Sequence, residues 1–143
     1  MAGGSGELEK IKKMNLESQK VHVNKSQQEL FQFLTTVENY EQIMPESKEK
    51  FEVKSKDTFA FALKGMPEIW LQIKETREPN LIVLGSTSDK FDFSLDVVIE
   101  DAGNNTSNAQ LFFNGKFNAM MAMMVKGPLN KFINSLAENV AKL

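Results

Sequence analysis

FNAMMAMMVKGPLNKFINSLAENVAKL, residues 117–143, closes the chain with a helical period, and its reading decides the fold. Met120, Met123, Met124, Leu129, Phe132, Ile133, Leu136 and Val140 fall broadly on one side, giving an apolar stripe that must be covered. Gly127-Pro128 interrupts the pattern. Proline lacks an amide hydrogen and its ring crowds the preceding turn, so the segment is expected to be one kinked helix or two consecutive ones.

The cover for that stripe lies upstream. After Pro45 the hydrophobic period falls to two and stays there for roughly seventy residues, as half-buried antiparallel strands require. Phe51 and Val53, then Phe59, Phe61 and Leu63, then Ile69, Leu71 and Ile73 alternate with more polar or smaller neighbours. Turns are expected at Ser55–Asp57, Gly65–Pro67 and Glu78–Asn80. Leu81–Leu84 is a continuous apolar run, and Phe91, Phe93, Leu95, Val97 and Ile99 alternate most regularly. Asp101–Asn105 holds a glycine and two asparagines, which tolerate positive φ, before a last strand carrying Ala109, Leu111 and Phe113. Asn104 and Asn105 also begin Asn-x-Ser/Thr triplets, but turn residues are the simpler reading.

Before Pro45, Leu16–Val23 favours a strand with Val21 and Val23 on one face and His22 on the other. Ser26 followed by Glu29 is a capping box that opens a helix carrying Leu30, Phe31, Phe33, Leu34 and Val37. Asn39–Met44 is expected as a second short helix stopped by Pro45. Met1–Gly6 reads as a flexible string resembling an expression leader, and Glu7–Lys13 as charged and potentially helical. The domain organisation is therefore read as an extension, residues 1–13, and a single domain, residues 14–143.

The order is strand, two short helices, a meander of about six strands and one long terminal helix. Only that helix can cover the apolar face of about seven strands, so an α+β helix-grip fold is expected, the curved sheet wrapped around the helix and the short helices closing one end. Three segments carry a family resemblance: Lys20-Val21-His22-Val23-Asn24-Lys25-Ser26, Tyr40-Glu41-Gln42-Ile43-Met44-Pro45, and the terminal amphipathic helix. From Met14 to Leu143 the chain resembles the START-like or Bet v 1-like superfamily, the SRPBCC or polyketide cyclase/dehydrase and lipid transport group. The resemblance implies a fold whose members bind sterols, phospholipids, quinones, polyketides or plant hormones, some acting as cyclases or adaptors.

A pocket between sheet and helix would be walled by Phe59, Phe61, Leu71, Phe93, Leu95, Phe113, Met120, Met124 and Leu129, and would hold a small apolar or amphipathic molecule of the lipid, quinone or polyketide class. At ~24 cal/mol per Å³, an empty pocket of ~300 Å³ would cost about 7 kcal/mol. Net stability is about 5–15 kcal/mol. The interior is therefore filled by its own side chains, of which eleven are Phe, or occupied by ligand or water. Met120, Met121, Met123 and Met124 suit either packing against the sheet or an adaptable ligand portal. Trp70, between Ile69 and Leu71, points away from both, and the Gly65-Met66-Pro67 turn could sit at a cavity mouth.

Composition narrows the chemistry. Seventeen Lys+Arg against nineteen Asp+Glu, intermixed, provide no basic field for nucleic acid. With no cysteine, thiol catalysis and thiolate zinc sites are excluded, and a cytoplasmic location is the default. No apolar run approaches the ~18 residues of a membrane-spanning helix. His22 is the single histidine and is expected to face solvent; Asp92 and Asp96 could act as paired carboxylates only if their face were inside. Phosphate-cradle and nucleophile-elbow motifs are absent, so no catalytic, metal or cofactor site is expected. A binding or carrier domain leads, ahead of a cyclase or hydratase-type enzyme and of an interaction adaptor with a closed core.

Overall fold

The computed structural model describes residues 10–87 and 92–143 of the chain, so Met1–Gly6 and Phe91 lie outside the described residues. In chain order the elements are β1 (Ile11–Glu17), β2 (Val21–Val23), α1 (Gln27–Leu34), a 3-10 turn (Val37–Asn39), α2 (Tyr40–Ile43), β3 (Lys48–Ser55) and β4 (Thr58–Leu63). Then follow β5 (Ile69–Arg77), β6 (Leu81–Ser86), β7 (Asp92–Gly103), β8 (Thr106–Asn118) and α3 (Ala119–Ala141). The strands form one antiparallel sheet in the order β1-β8-β7-β6-β5-β4-β3, with β2 also paired to β8. This is the helix-grip α+β architecture, a curved sheet around one long terminal helix.

The first strand differs from its sequence reading. Rather than one strand from Leu16 to Val23, β1 and β2 pair separately with β8, and residues 18–20 stand against 110 and 111. The buried Ser18 bridges the break. Its amide donates to Leu111 O at 2.8 Å, and its Oγ accepts from Leu111 N at 2.9 Å, so a side chain replaces a ladder carbonyl where the strand bulges. Ile11–Lys13, read as potentially helical, are strand, paired with Lys116–Asn118. A short charged segment has too few turns to sustain a helix alone, and β8 offers it a ladder.

The helix signals have direct counterparts. Ser26 Oγ accepts from Glu29 N and Glu29 Oε1 from Ser26 N, both at 3.1 Å, completing the capping box of α1. Gln27 then anchors the helix to the sheet, its Nε2 donating to Asn80 Oδ1 and Ile99 O at 2.9 Å each. Asn104 (φ 53°) and Asn105 (φ 57°) form the two-residue β7–β8 turn, the left-handed pair that matches strand twist. α3 runs without a break through Pro128. The proline is exposed, while Val125, Leu129 and Phe132 beside it are buried and hold the helix in place despite the lost hydrogen bond.

Aromatic rings fill the interior. Phe59 stacks on Tyr40 at 4.9 Å and on Phe51 at 5.3 Å, and Phe61 stacks on Phe132 of α3 at 5.1 Å. A second group joins Phe93 to Phe113 at 5.0 Å and Phe113 to Phe117 at 6.2 Å. Gly115 makes that group possible. A Cβ there would lie 2.9 Å from Phe117 Cε2, 3.0 Å from Phe93 Cβ and 3.1 Å from Phe113 Cε1.

Gly115→Ala is accordingly expected to lose about 1–3 kcal/mol in urea unfolding, the range for an overpacked core. Gly85→Ala should lose less, because its Cβ would meet only the flexible chain of Lys74, at 2.9 Å. Equal losses at the two positions would refute the aromatic crowding around Gly115.

Candidate functional site

Of the nine residues expected to wall a pocket, Phe59, Phe61, Leu71, Leu95, Phe113 and Leu129 are buried, and Phe93 is half-buried against the same core. Met120 and Met124 are instead 52% and 65% exposed, so neither walls the interior. The buried stripe of α3 is Val125, Leu129, Phe132, Ile133, Leu136, Ala137 and Val140. It reaches its first turns through Val125, about 100° around the helix from Met124. Counting back from Val140 in steps of three and four finds Val125; the composition of the Met-rich turns hides it.

The inward-facing rings also touch one another. The Phe61–Phe132 stack spans from sheet to helix, so side chains take the space between them there. A groove of about 900 Å³ lies beyond it, between α3, the turn after α2 and the β4–β5 turn. Leu63, Met66, Pro128 and one face of Phe132 supply its apolar lining. Lys64, Lys131, Lys142, Glu46 and Glu138 stand exposed around it.

Local hydrogen bonds fix each wall. Gly65, at φ 82°, permits the β4–β5 turn, closed by Met66 N donating to Leu63 O at 3.0 Å. Lys64 N donates to Ser47 O at 3.0 Å, tying that turn to the one after α2. Asn139 Nδ2 donates to Ile43 O at 2.9 Å and Met44 O at 3.2 Å, holding α3 against the end of α2. None of the nine expected wall residues lines the groove; Met66 of the Gly65-Met66-Pro67 turn, both residues of the Gly127-Pro128 interruption, and Pro45, Leu63 and Phe132 do.

The remaining singled-out residues face outward. Trp70 Nε1 donates to Glu68 Oε1 at 2.7 Å, with Lys54 Nζ 4.7 Å from its ring centroid. His22 is exposed, its Nδ1 3.2 Å from Asn108 Oδ1. Lys50–Glu68 at 2.8 Å and Lys54–Glu52 at 2.9 Å lace the surface of the β3 region. Asp92 is exposed and Asp96 half-buried on the sheet's outer side. Burial raises the Asp96 carboxyl above its ordinary value; a hydrogen bond with Ser94 opposes that rise and Glu75 adds to it. Asp96 Oδ1 has no partner among the described residues.

No family model matches the chain, and no curated protein matches it in sequence. Solved structures do match its fold. A norcoclaurine synthase point mutant from Thalictrum flavum, in complex with a transition-state analogue, superposes with a TM-score of 0.71 at 10% identity, over 93% of this chain and 94% of that one. A START superfamily protein from Mycobacterium smegmatis gives 0.64 at 13%, over 91% and 97%. The di-domain ARO/CYC BexL of the BE-7585A biosynthetic pathway gives 0.60 at 13%, over 89% of this chain and 46% of that chain. The fold is therefore START-like and Bet v 1-like, as the sequence resemblance implied.

Asp96 yields a pH test. A carboxyl whose folded value is raised contributes stability below its ordinary value of 3.8, and that contribution is lost as pH rises through the folded value. Asp96→Asn is expected to raise the neutral-pH midpoint of urea unfolding, the gain shrinking as the pH falls towards 3.8. A gain independent of pH would show that ionisation is not its cause.

Proposed function

We propose that the chain is a binding or carrier domain for a small hydrophobic or amphipathic molecule, seated in the groove between the β4 end of the sheet and α3. The observation that carries this reading is the groove of about 900 Å³, apolar where Leu63, Met66, Pro128 and Phe132 line it and charged at its rim. That volume lies within the ~300–1,000 Å³ range of small-molecule sites. The apolar part of the ligand lies against these side chains, and a polar or anionic head group meets Lys64, Lys131 and Lys142. A lipid, quinone or polyketide has this two-part character. Fold neighbours lend general support: a norcoclaurine synthase of Thalictrum flavum is known in complex with dopamine and hydroxybenzaldehyde.

Binding is favoured over turnover because the ionisable groups of the groove lie on its exposed rim. A solvated lysine or glutamate can orient a head group, whereas acid–base work calls for a group positioned and tuned by its surroundings. The stiffness of the site suits binding too, since its walls are tied by backbone hydrogen bonds and by the Asn139 amide.

Native mass spectrometry of gently purified protein is expected to show a stoichiometric apolar adduct, identifiable after organic extraction. Ser135→Trp, which introduces a ring into the groove, should weaken binding of that compound at least about tenfold, the factor that 1.4 kcal/mol represents, at unchanged melting temperature. Lys131→Glu should weaken anionic ligands more than neutral ones. A clean apo mass, together with no stabilisation by a fatty acid, sterol and quinone panel, would sink the carrier reading.

A further inference from the structure

The first two turns of α3 meet the edge strand β1 at one corner of the molecule, where Ala119 N donates to Lys10 O at 3.0 Å. Six large hydrophobic side chains are exposed among the described residues, and four of them, Ile11, Met120, Met123 and Met124, belong to this corner. Met123 is 79% exposed. So much apolar surface on two adjoining elements marks an interaction site rather than chance exposure.

Among the described residues the charge around it is mostly positive. Met123, Lys126 and Lys13 border a single depression of about 350 Å³. Lys12 lies next along β1, and Lys116 stands opposite Lys13 in the β1–β8 register. Lys12, Lys13, Lys116 and Lys126 form no ion pair among the described residues. Asp92, opposite Lys116 on β7, is the one carboxylate that these strand pairings place there among the described residues. The whole chain has a net charge of −2, whereas the described residues of this corner hold four lysines and one carboxylate.

We propose that this corner is a docking surface for an anionic lipid bilayer, with the methionines entering the boundary between head groups and acyl chains and the lysines facing lipid phosphates. Unbranched thioethers adapt to a fluid apolar layer. Lysine can lay its methylenes on that layer and keep its ammonium among the head groups. A protein partner fits less well, because protein interfaces, which do favour methionine, are depleted of lysine. The single arginine, Arg77, lies on β5 and bonds Glu75 at 2.8 Å. No helix among the described residues is long and apolar enough to cross a membrane, so contact made by α3 is peripheral. Met120 and Met124 share a helical stripe with Gly127 and Lys131 of the groove, which brings the groove's α3 end towards the docked face.

The test is co-sedimentation of the full chain with vesicles of phosphatidylcholine alone or with about one-third phosphatidylglycerol. Retention is expected on the anionic vesicles and at least about tenfold weaker on neutral ones or in ~0.5 M salt, where charge attraction is screened. The double variant Met123→Gln/Met124→Gln, altering exposed side chains only, should lose about tenfold on anionic vesicles, since removing apolar insertion weakens interfacial binding. Lys13→Gln/Lys126→Gln should flatten the salt dependence. Absence of anion-selective retention, or retention that neither double variant alters, overturns the proposal. So does a lipid-free dimer in sedimentation velocity that the methionine variant dissociates, which would assign the corner to a second copy of the chain.

Discussion

Phe61 on β4 and Phe132 on α3 stack at 5.1 Å with their planes 13° apart, and this contact fixes the separation of sheet and helix. Phe59 extends the stack along β4 to Phe51 and Tyr40. Tyr40 is wholly buried; its hydroxyl donates to Leu34 O at 2.7 Å, and burial pushes its phenol above the ordinary range. The rings therefore lock α2, the sheet and α3 into one body. Phe132 has a second role, since part of the same ring lines the groove. The core and the candidate site share a wall, so the site inherits the rigidity of close-packed aromatic rings.

The fold was legible because each of its decisions is local. The capping box at Ser26 and Glu29, the period-two run after Pro45 and the left-handed asparagines at 104 and 105 each depend on residues a few positions apart. The break in the first strand was not legible, because Ser18 is explained only by Leu111, 93 residues away. Nor was the phase of the methionines. Methionine is apolar enough to join a core stripe, and whether it does depends on which neighbouring position meets the sheet; here Val125 does, and Met123 and Met124 turn outward.

The candidate site was less legible than the fold for the same reason. Its walls come from the turn after α2, the β4–β5 turn and the polar side of α3, and several of its residues are charged or small. Periodicity marks what is buried in a regular element, and these residues are neither fully buried nor regularly spaced. The inward aromatic face was expected and found, and one of its contacts, Phe61 on Phe132, spans from sheet to helix beside the groove.

The separation between Ser18 and Leu111 also bears on the order in which the protein can be made. β1 and β2 both take their ladder partners from β8, and α3 follows β8 directly. A chain emerging from the ribosome presents the aromatic strands β3 and β4 long before Phe132 arrives to cover them. Until residues 106–143 have emerged, β1 and β2 lack their native neighbour and the concave face has no helix in its grip. Nascent chains of this topology hold their most adhesive surface open while β5 to β8 are being made, an interval in which cellular holdases act.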